Sequence, residues 1–334
     1  METKYFIGLD VHKENTAYAV RDRKGNVLLE GEAASIYKDL CERLEPYLIS
    51  AEIGLEASRS YYALYRGFLE NKHNVRVANT LQLRQLIAKT DKLDARRLSE
   101  MLRLRSFPTS YIPDERIQRL RSLVQIRHSL MEEATRWNFR IQALLDREEV
   151  AMPSQKAFGK KWRAALMQHI GAQTSSELRH AYDHYLIVES RLEQVDQEMI
   201  GYAKKYWRSE HELIQSITGF GPLLSCYVIA EVLPIQRFAS KKKLRRYAGV
   251  IPVPKESGGK KSRSRLPKGS SRGLLRWALV QAANTIGKTD TRLGKYYRKK
   301  AKQKKIKGIA KVAVASSLVD ILYHVLTTNE PYTA

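Results

Sequence analysis

A chain of 334 residues is long enough for two or three domains with real cores. Its 59 Lys and Arg against 35 Asp and Glu leave a net charge of +24, which suits a polyanionic partner. Two distant cysteines, no apolar signal region and no run of about 18 apolar residues exclude a disulfide framework, a zinc-finger spacing and a membrane span, and make the reducing cytoplasm the expected compartment.

The first 110 residues alternate between strand and helix patterns. Residues 4–10 are a short apolar run stopped by Asp10. Residues 16–21 and 27–31 flank a turn containing Gly25-Asn26 and predict an antiparallel hairpin. Helical spacing follows over 36–48, then a short strand ending at Glu56, a helix over about 61–69, and a strand at 75–78. Two more helical pieces cover about 81–88 and 91–104. Together these predict a mixed sheet with helices on its faces.

The middle of the chain, 111–210, changes character. Apolar residues recur every three or four positions over 114–145 and again over about 176–207, each pattern long enough to span about 45 Å as a helix. Such a pair can fold back as a coiled-coil hairpin or join another chain, and the length of its apolar stripes predicts a dimer. His180 and His184 lie four apart on the second helix without a third ligand, and read as surface residues.

The last region, 211–334, is the basic one. Between Lys241 and Lys311 there are 24 basic residues and two acidic ones, so the remaining 263 residues are close to neutral. Apolar stretches inside it, such as 274–280, need a core and argue against a solvated tail. Gly219-Phe220-Gly221-Pro222 between two helical patterns predicts a helix-hairpin-helix element whose glycines let backbone N–H groups approach a phosphate. The nucleic-acid contacts expected beside it are Lys241, Lys242, Lys243, Arg245 and Arg246, then Lys260, Lys261, Arg263 and Arg265, then Lys268 and Arg272. Ser257 precedes two glycines among these cations, where a hydroxyl could attack a phosphate; read alone, it fits a flexible loop as well.

Four acids stand out. Asp10 and Glu56 each end an apolar strand, and Asp91 and Asp94 are three apart, on one face of a helix. Any one alone reads as an ordinary surface acid. As a set they offer hard oxygen donors for Mg²⁺ or Mn²⁺, ions that can activate a nucleophile and steady a leaving oxygen at a phosphodiester.

Gly8-Leu9-Asp10-Val11-His12-Lys13, Glu56-Ala57-Ser58 and Thr90-Asp91-Lys92-Leu93-Asp94-Ala95 resemble the amino half of the DEDD insertion-sequence transposases. Gly219-Phe220-Gly221-Pro222, Tyr247-Ala248-Gly249-Val250, Ser257-Gly258 and Lys268-Gly269 resemble their carboxy half, in the same order over nearly the whole chain. The resemblance implies a ribonuclease-H-like (RuvC-like) α/β domain over 1–110, a helical coiled-coil spacer over 111–210, and a mainly α carboxy domain over 211–334. It carries Asp10, Glu56, Asp91 and Asp94 over as metal ligands and Ser257 as the attacking residue. It further implies a nucleoid-associated DNA recombinase guided by a bridge RNA that pairs with donor and target DNA. A dimer, tetrameric on nucleic acid, would then build each site from two subunits. Some relatives carry consecutive serines before the glycine, whereas here Glu256 precedes Ser257. The alternatives are a structure-specific nuclease in which water attacks, and a binding protein with a degenerate nuclease fold.

Overall fold

The computed structural model describes residues 2–58, 60–86, 95–153, 157–172, 176–257, 260–267, 273–304 and 306–333, with backbone alone at 84–86, 172, 253–257, 260–265 and 304. It divides into two compact units that meet between Pro113 and Asp114.

The amino unit is built on β1 (Tyr5–Val11), β2 (Asn15–Arg21), β3 (Val27–Ala34), α1 (Tyr37–Leu48), β4 (Ala51–Leu55), α2 (Tyr61–Glu70), β5 (Asn74–Val77), α3 (Thr80–Leu86) and α4 (Ala95–Arg103). The strands form one mixed sheet in the order β3-β2-β1-β4-β5, antiparallel on the hairpin side and parallel where β4 and β5 join β1. The predicted hairpin is present, and its turn is closed by the Asp22 carboxylate, which accepts from the Asn26 backbone N–H at 2.8 Å.

Alternation gives the sheet two different faces. Ile7, Leu9, Ile53 and Leu55 point to one side and bury Leu40 and Leu44 of α1 and Leu64 and Phe68 of α2. Gly8 and Gly54, paired in register on adjacent strands, point to the other. A Cβ at Gly8 would lie 2.0 Å from the Ala95 carbonyl oxygen and 2.6 Å from the Ser99 nitrogen, and one at Gly54 would lie 2.7 Å from the Phe107 ring. The two glycines are therefore the seat on which α4 rests with its backbone against the sheet. Arg21 donates to Ser99 Oγ at 3.2 Å, and Arg96 pairs with Glu30 on β3 at 2.5 Å, fixing the helix sideways. Gly8→Ala is expected to destabilise the protein by about 1–3 kcal/mol, because the intruding methyl meets backbone that cannot rotate away. Denaturant unfolding checks this; a change within about 0.5 kcal/mol would mean that α4 is not seated on Gly8.

The second unit contains α5 (Glu115–Arg147), α6 (Lys160–Ala172), α7 (Ser176–Tyr206), α8 (Arg208–Gln215), α9 (Pro222–Val232), α10 (Lys241–Ala248), β6 (Val253–Ser257), β7 (Lys260–Arg265), α11 (Gly273–Ile286), α12 (Arg292–Lys304) and α13 (Lys307–Thr328). Asp114 caps α5, accepting from the Ile117 N–H at 2.8 Å. The two long helices fold back on each other within one chain. Ile141 and Leu145 of α5 meet Leu178, Ala181 and Tyr182 at the far end, where Trp162 and Leu166 of α6 close the tip. At the other end Ile117, Leu120 and Val124 share a core with Met199, Ala203 and the carboxy-terminal helices. Residues 111–210 and 211–334 thus share one core at the base of the long pair. Between the two cores Leu130, Leu192 and Val195 are only half-buried. His180 and His184 are exposed, as expected, and the His184 ring stacks on Trp137 at 4.9 Å.

Among the described residues one helix, Lys307–Thr328, is long and apolar enough on average to cross a membrane, although polar residues such as Lys311 and Asp320 interrupt its apolar run. In this fold Val314, Leu318, Leu322 and Val325 of that helix lie inside the core with α9 and α11.

Candidate metal centre and nucleic-acid surface

Asp10 is the penultimate residue of β1, and Glu56 directly follows β4, its parallel neighbour. Leu9 and Leu55 are register partners, and the Glu56 N–H faces the Leu9 carbonyl at 3.4 Å. The two acids therefore leave the same edge of the sheet from adjacent strands. By alternation each lies two residues beyond a glycine of the α4 seat, on the α4 side. The helix starts with Ala95 packed on Gly8 and ends with Leu102 beside Phe6 and Glu52, which border one cavity at the opposite sheet edge. It runs antiparallel to β1, so its first described residue sits toward the acid edge. Asp91 and Asp94 lie outside the described residues.

Asp10 is 16% exposed, and His12 Nε2 stands 3.3 Å from its Oδ2. Among the described residues, no three His, Cys, Asp or Glu side chains converge tightly enough to form a metal cage by themselves. The donor chemistry nonetheless fits a hard divalent ion, because carboxylates at one sheet edge supply anionic oxygens and leave room for water and phosphate ligands. Glu30 on β3 and Glu52 on β4 are committed elsewhere. Glu52 pairs with Arg76 at 3.0 Å, and the hydrogen bond from Arg96 holds the Glu30 carboxyl below the usual carboxylate range.

In the second unit Ser257 ends β6 and is the register partner of Lys260, the first residue of β7. Glu256 pairs with Lys261 and Lys255 with Ser262. The expected loop is thus an antiparallel hairpin with Ser257 at its closing end, and Arg263 and Arg265 follow on the returning strand. Lys268 and Arg272 lie outside the described residues. Both ends of the hairpin segment are tied to one side chain: Arg276 on α11 donates to the Pro267 carbonyl at 2.9 Å and approaches the Gly249 carbonyl at 3.5 Å.

The expected basic surface divides on inspection. Lys241, Lys242, Lys243 and Arg246 on α10 are exposed. Arg245 is turned inward, its guanidinium forked onto the Asp320 carboxylate of α13 with Nε–Oδ1 at 2.6 Å. The glycines of the α8–α9 turn also differ. Gly219 has φ +99° and a Cβ there would lie 2.7 Å from the Ala282 carbonyl, so packing on α11 demands it. Gly221 is exposed, with open space around it, at the N-terminus of α9. Sequence reasoning passed over a further cluster: Lys288, Lys307 and Lys311 border a cavity of about 610 Å³ together with Gln281, Asn284 and Tyr297.

Strand-end acids on a mixed sheet and a separate basic helical unit are features that suit a protein acting on DNA. Residues 7–148 match the DEDD transposase model of the IS110 type, and residues 211–298 match the model described as the transposase IS116/IS110/IS902 family. The chain belongs to this family of DEDD transposases. The family implies a ribonuclease-H-like fold, with which the five-stranded mixed sheet agrees.

The chain is 27% identical over 150 residues to the "Insertion element IS116 uncharacterized 44.8 kDa protein" of Streptomyces clavuligerus, covering 44% of this chain and 36% of that one. It is 25% identical over 302 residues to the "Putative transposase y4qE" of Sinorhizobium fredii, covering 87% and 73%. It is 30% identical over 131 residues to the "Insertion element IS900 uncharacterized 42 kDa protein" of Mycobacterium paratuberculosis, covering 39% and 33%. The chain thus spans about a third of the length of two of these curated relatives and nearly three quarters of the other.

Proposed function

We propose that this chain is the recombinase of an insertion element, cutting and rejoining DNA through a serine–DNA intermediate. The observation that carries the reading is the departure of Asp10 and Glu56 from adjacent parallel strands at one sheet edge. Asp10, Glu56, Asp91 and Asp94 would hold Mg²⁺ or Mn²⁺, which supplies charge neutralisation at the phosphate when bound. Ser257 Oγ forms the new bond to phosphorus as the bond to the leaving deoxyribose oxygen breaks, and that oxygen takes up a proton. One phosphoester replaces another, so rejoining needs no external energy source. The three-part division at 110 and 210 then has a functional sense: metal domain, coiled-coil spacer and serine-bearing domain with a helix-hairpin-helix-like element.

On this reading the partners are donor and target DNA and a bridge RNA that supplies sequence choice, on a dimer that becomes a tetramer on nucleic acid. The decisive experiment incubates labelled DNA carrying the element's ends with full-length protein, guide RNA and Mg²⁺. Joined products support the reading; the absence of any strand cleavage under these conditions overturns it.

Backbone contacts by the basic unit make binding a counterion-release process. Affinity for nucleic acid is expected to fall roughly a thousandfold or more between about 50 and 200 mM salt. Replacing Lys241, Lys242 and Lys243 by Gln should flatten the log–log slope by about 2–3, because these side chains are exposed. Arg245→Gln should instead lower thermal stability, because it strands Asp320. A salt-independent affinity, measured by fluorescence anisotropy, would remove the assignment of this surface.

A further inference from the structure

Asp10 has a neighbour that the proposed acid set does not include. His12 follows it by two residues, one position past the end of β1, and its side chain turns toward the Asp10 carboxylate. The imidazole is 71% exposed, yet its outer nitrogen, Nε2, stands 3.3 Å from Asp10 Oδ2. Fold stability does not account for this approach: an ion pair open to water contributes little, and holding a side chain in one rotamer costs entropy. The backbone beneath it is fixed. The His12 N–H donates to the Asn15 carbonyl at 3.0 Å, and the His12 carbonyl accepts from Ser35 Oγ at 2.9 Å. Ser35 is held in turn by Thr16 Oγ1 at 2.8 Å.

The separation has a natural meaning in coordination geometry. Two donors bound to one octahedral ion at about 2.1 Å and at right angles stand about 3.0 Å apart. A carboxylate oxygen and an imidazole nitrogen 3.3 Å apart need only a small closure to share an ion. Neutral imidazole Nε2 is also among the commonest protein ligands for transition metals.

We infer that His12 is a nitrogen ligand of the divalent ion at the Asp10 edge, and that it tilts the site from Mg²⁺ toward Mn²⁺. The inference rests on the metal-site reading above and adds to it a donor of a different kind. Carboxylate and water suit Mg²⁺ and Mn²⁺ alike, whereas imidazole favours the transition ion. An all-oxygen site would show no such preference beyond that of the oxygens themselves.

The test uses full-length protein with Mn²⁺ or Mg²⁺ alone, without nucleic acid. Pulsed EPR of the Mn²⁺-loaded protein should show ¹⁴N coupling from a bound imidazole, and His12→Ala should abolish it. Calorimetric titration should find Mn²⁺ binding weakened about tenfold in His12→Ala, with Mg²⁺ binding changed less than about twofold. Because His12 is a surface residue, its replacement should leave thermal unfolding unaltered, and circular dichroism checks that.

Asp10→Asn is the control that separates two failures. Wild-type Mn²⁺ binding that depends on Asp10 but shows no nitrogen coupling overturns the His12 ligand and leaves the metal site standing. Equal loss of both ions in His12→Ala reduces His12 to an orienter of Asp10 and likewise overturns the proposal. Mn²⁺ binding indifferent to Asp10→Asn, or no binding at all, removes the metal site and this inference with it.

Discussion

Asp10→Ala and Glu56→Ala should each lower DNA strand cleavage by at least about a thousandfold, about 4 kcal/mol of lost transition-state stabilisation. Both acids leave the same edge of the sheet, where one shared ion needs both. Neither belongs to the buried apolar set that holds the amino unit together, so folding should survive. Nucleic-acid affinity should also persist, because the excess positive charge lies between Lys241 and Lys311. Asp91→Ala and Asp94→Ala are expected to give the same phenotype if these residues complete the set. The measurement pairs a cleavage assay in Mg²⁺ with thermal unfolding and a binding isotherm for each variant. Near-normal cleavage by Asp10→Ala would remove the metal-site reading, and loss of folding would show that Asp10 serves the sheet instead.

The amino unit was largely legible from sequence because its elements are local. A short apolar run marked β1, alternation marked the β2–β3 hairpin, and strand-ending acids marked the edge where Asp10 and Glu56 sit. The seat of α4 was not legible. Gly8 and Gly54 look like ordinary strand glycines until the register pairs them and brings Ala95 and Phe107 onto them. Periodicity likewise announced α5 and α7 but could not say whether they pair within one chain. The answer came from Ile141 and Leu145 meeting Leu178 and Tyr182.

Charge was the least reliable guide to individual roles. Composition marked Arg245 as one more cation for nucleic acid, yet it is spent on Asp320, 75 positions away. Arg276, unmarked, holds both ends of the segment that carries Ser257. His12 has no role in the sequence reading although it stands in the motif at residues 8–13, and its signal is its place two residues after Asp10, just past the end of β1. The hairpin of β6 and β7 was read as a loop because glycines and lysines mask strand propensity, and α6 was not read at all although Trp162, Leu166 and Ile170 carry a helical spacing.

Ser257→Ala should abolish both strand exchange and any covalent protein–DNA product while leaving nucleic-acid binding intact. The expectation follows from the chemistry of a serine phosphoester, which survives denaturation and can be seen directly. Register places Ser257 at the closing end of the β6–β7 hairpin opposite Lys260, in the most basic part of the chain. A hydroxyl is a weak nucleophile by itself, so nearby cations matter chiefly by stabilising charge that develops on the phosphate. Ser257→Cys should retain a trace of adduct, since a thiolate also attacks phosphorus. The assay incubates labelled DNA with protein and Mg²⁺, denatures the mixture, separates it on a gel and maps the peptide in any shifted band. A band mapped to Ser262, Ser264, Ser270 or Ser271 keeps the serine mechanism and moves the residue. Cleavage that persists in Ser257→Ala, with no adduct from the unmodified protein, would instead identify water as the nucleophile and make this chain a metal-dependent nuclease.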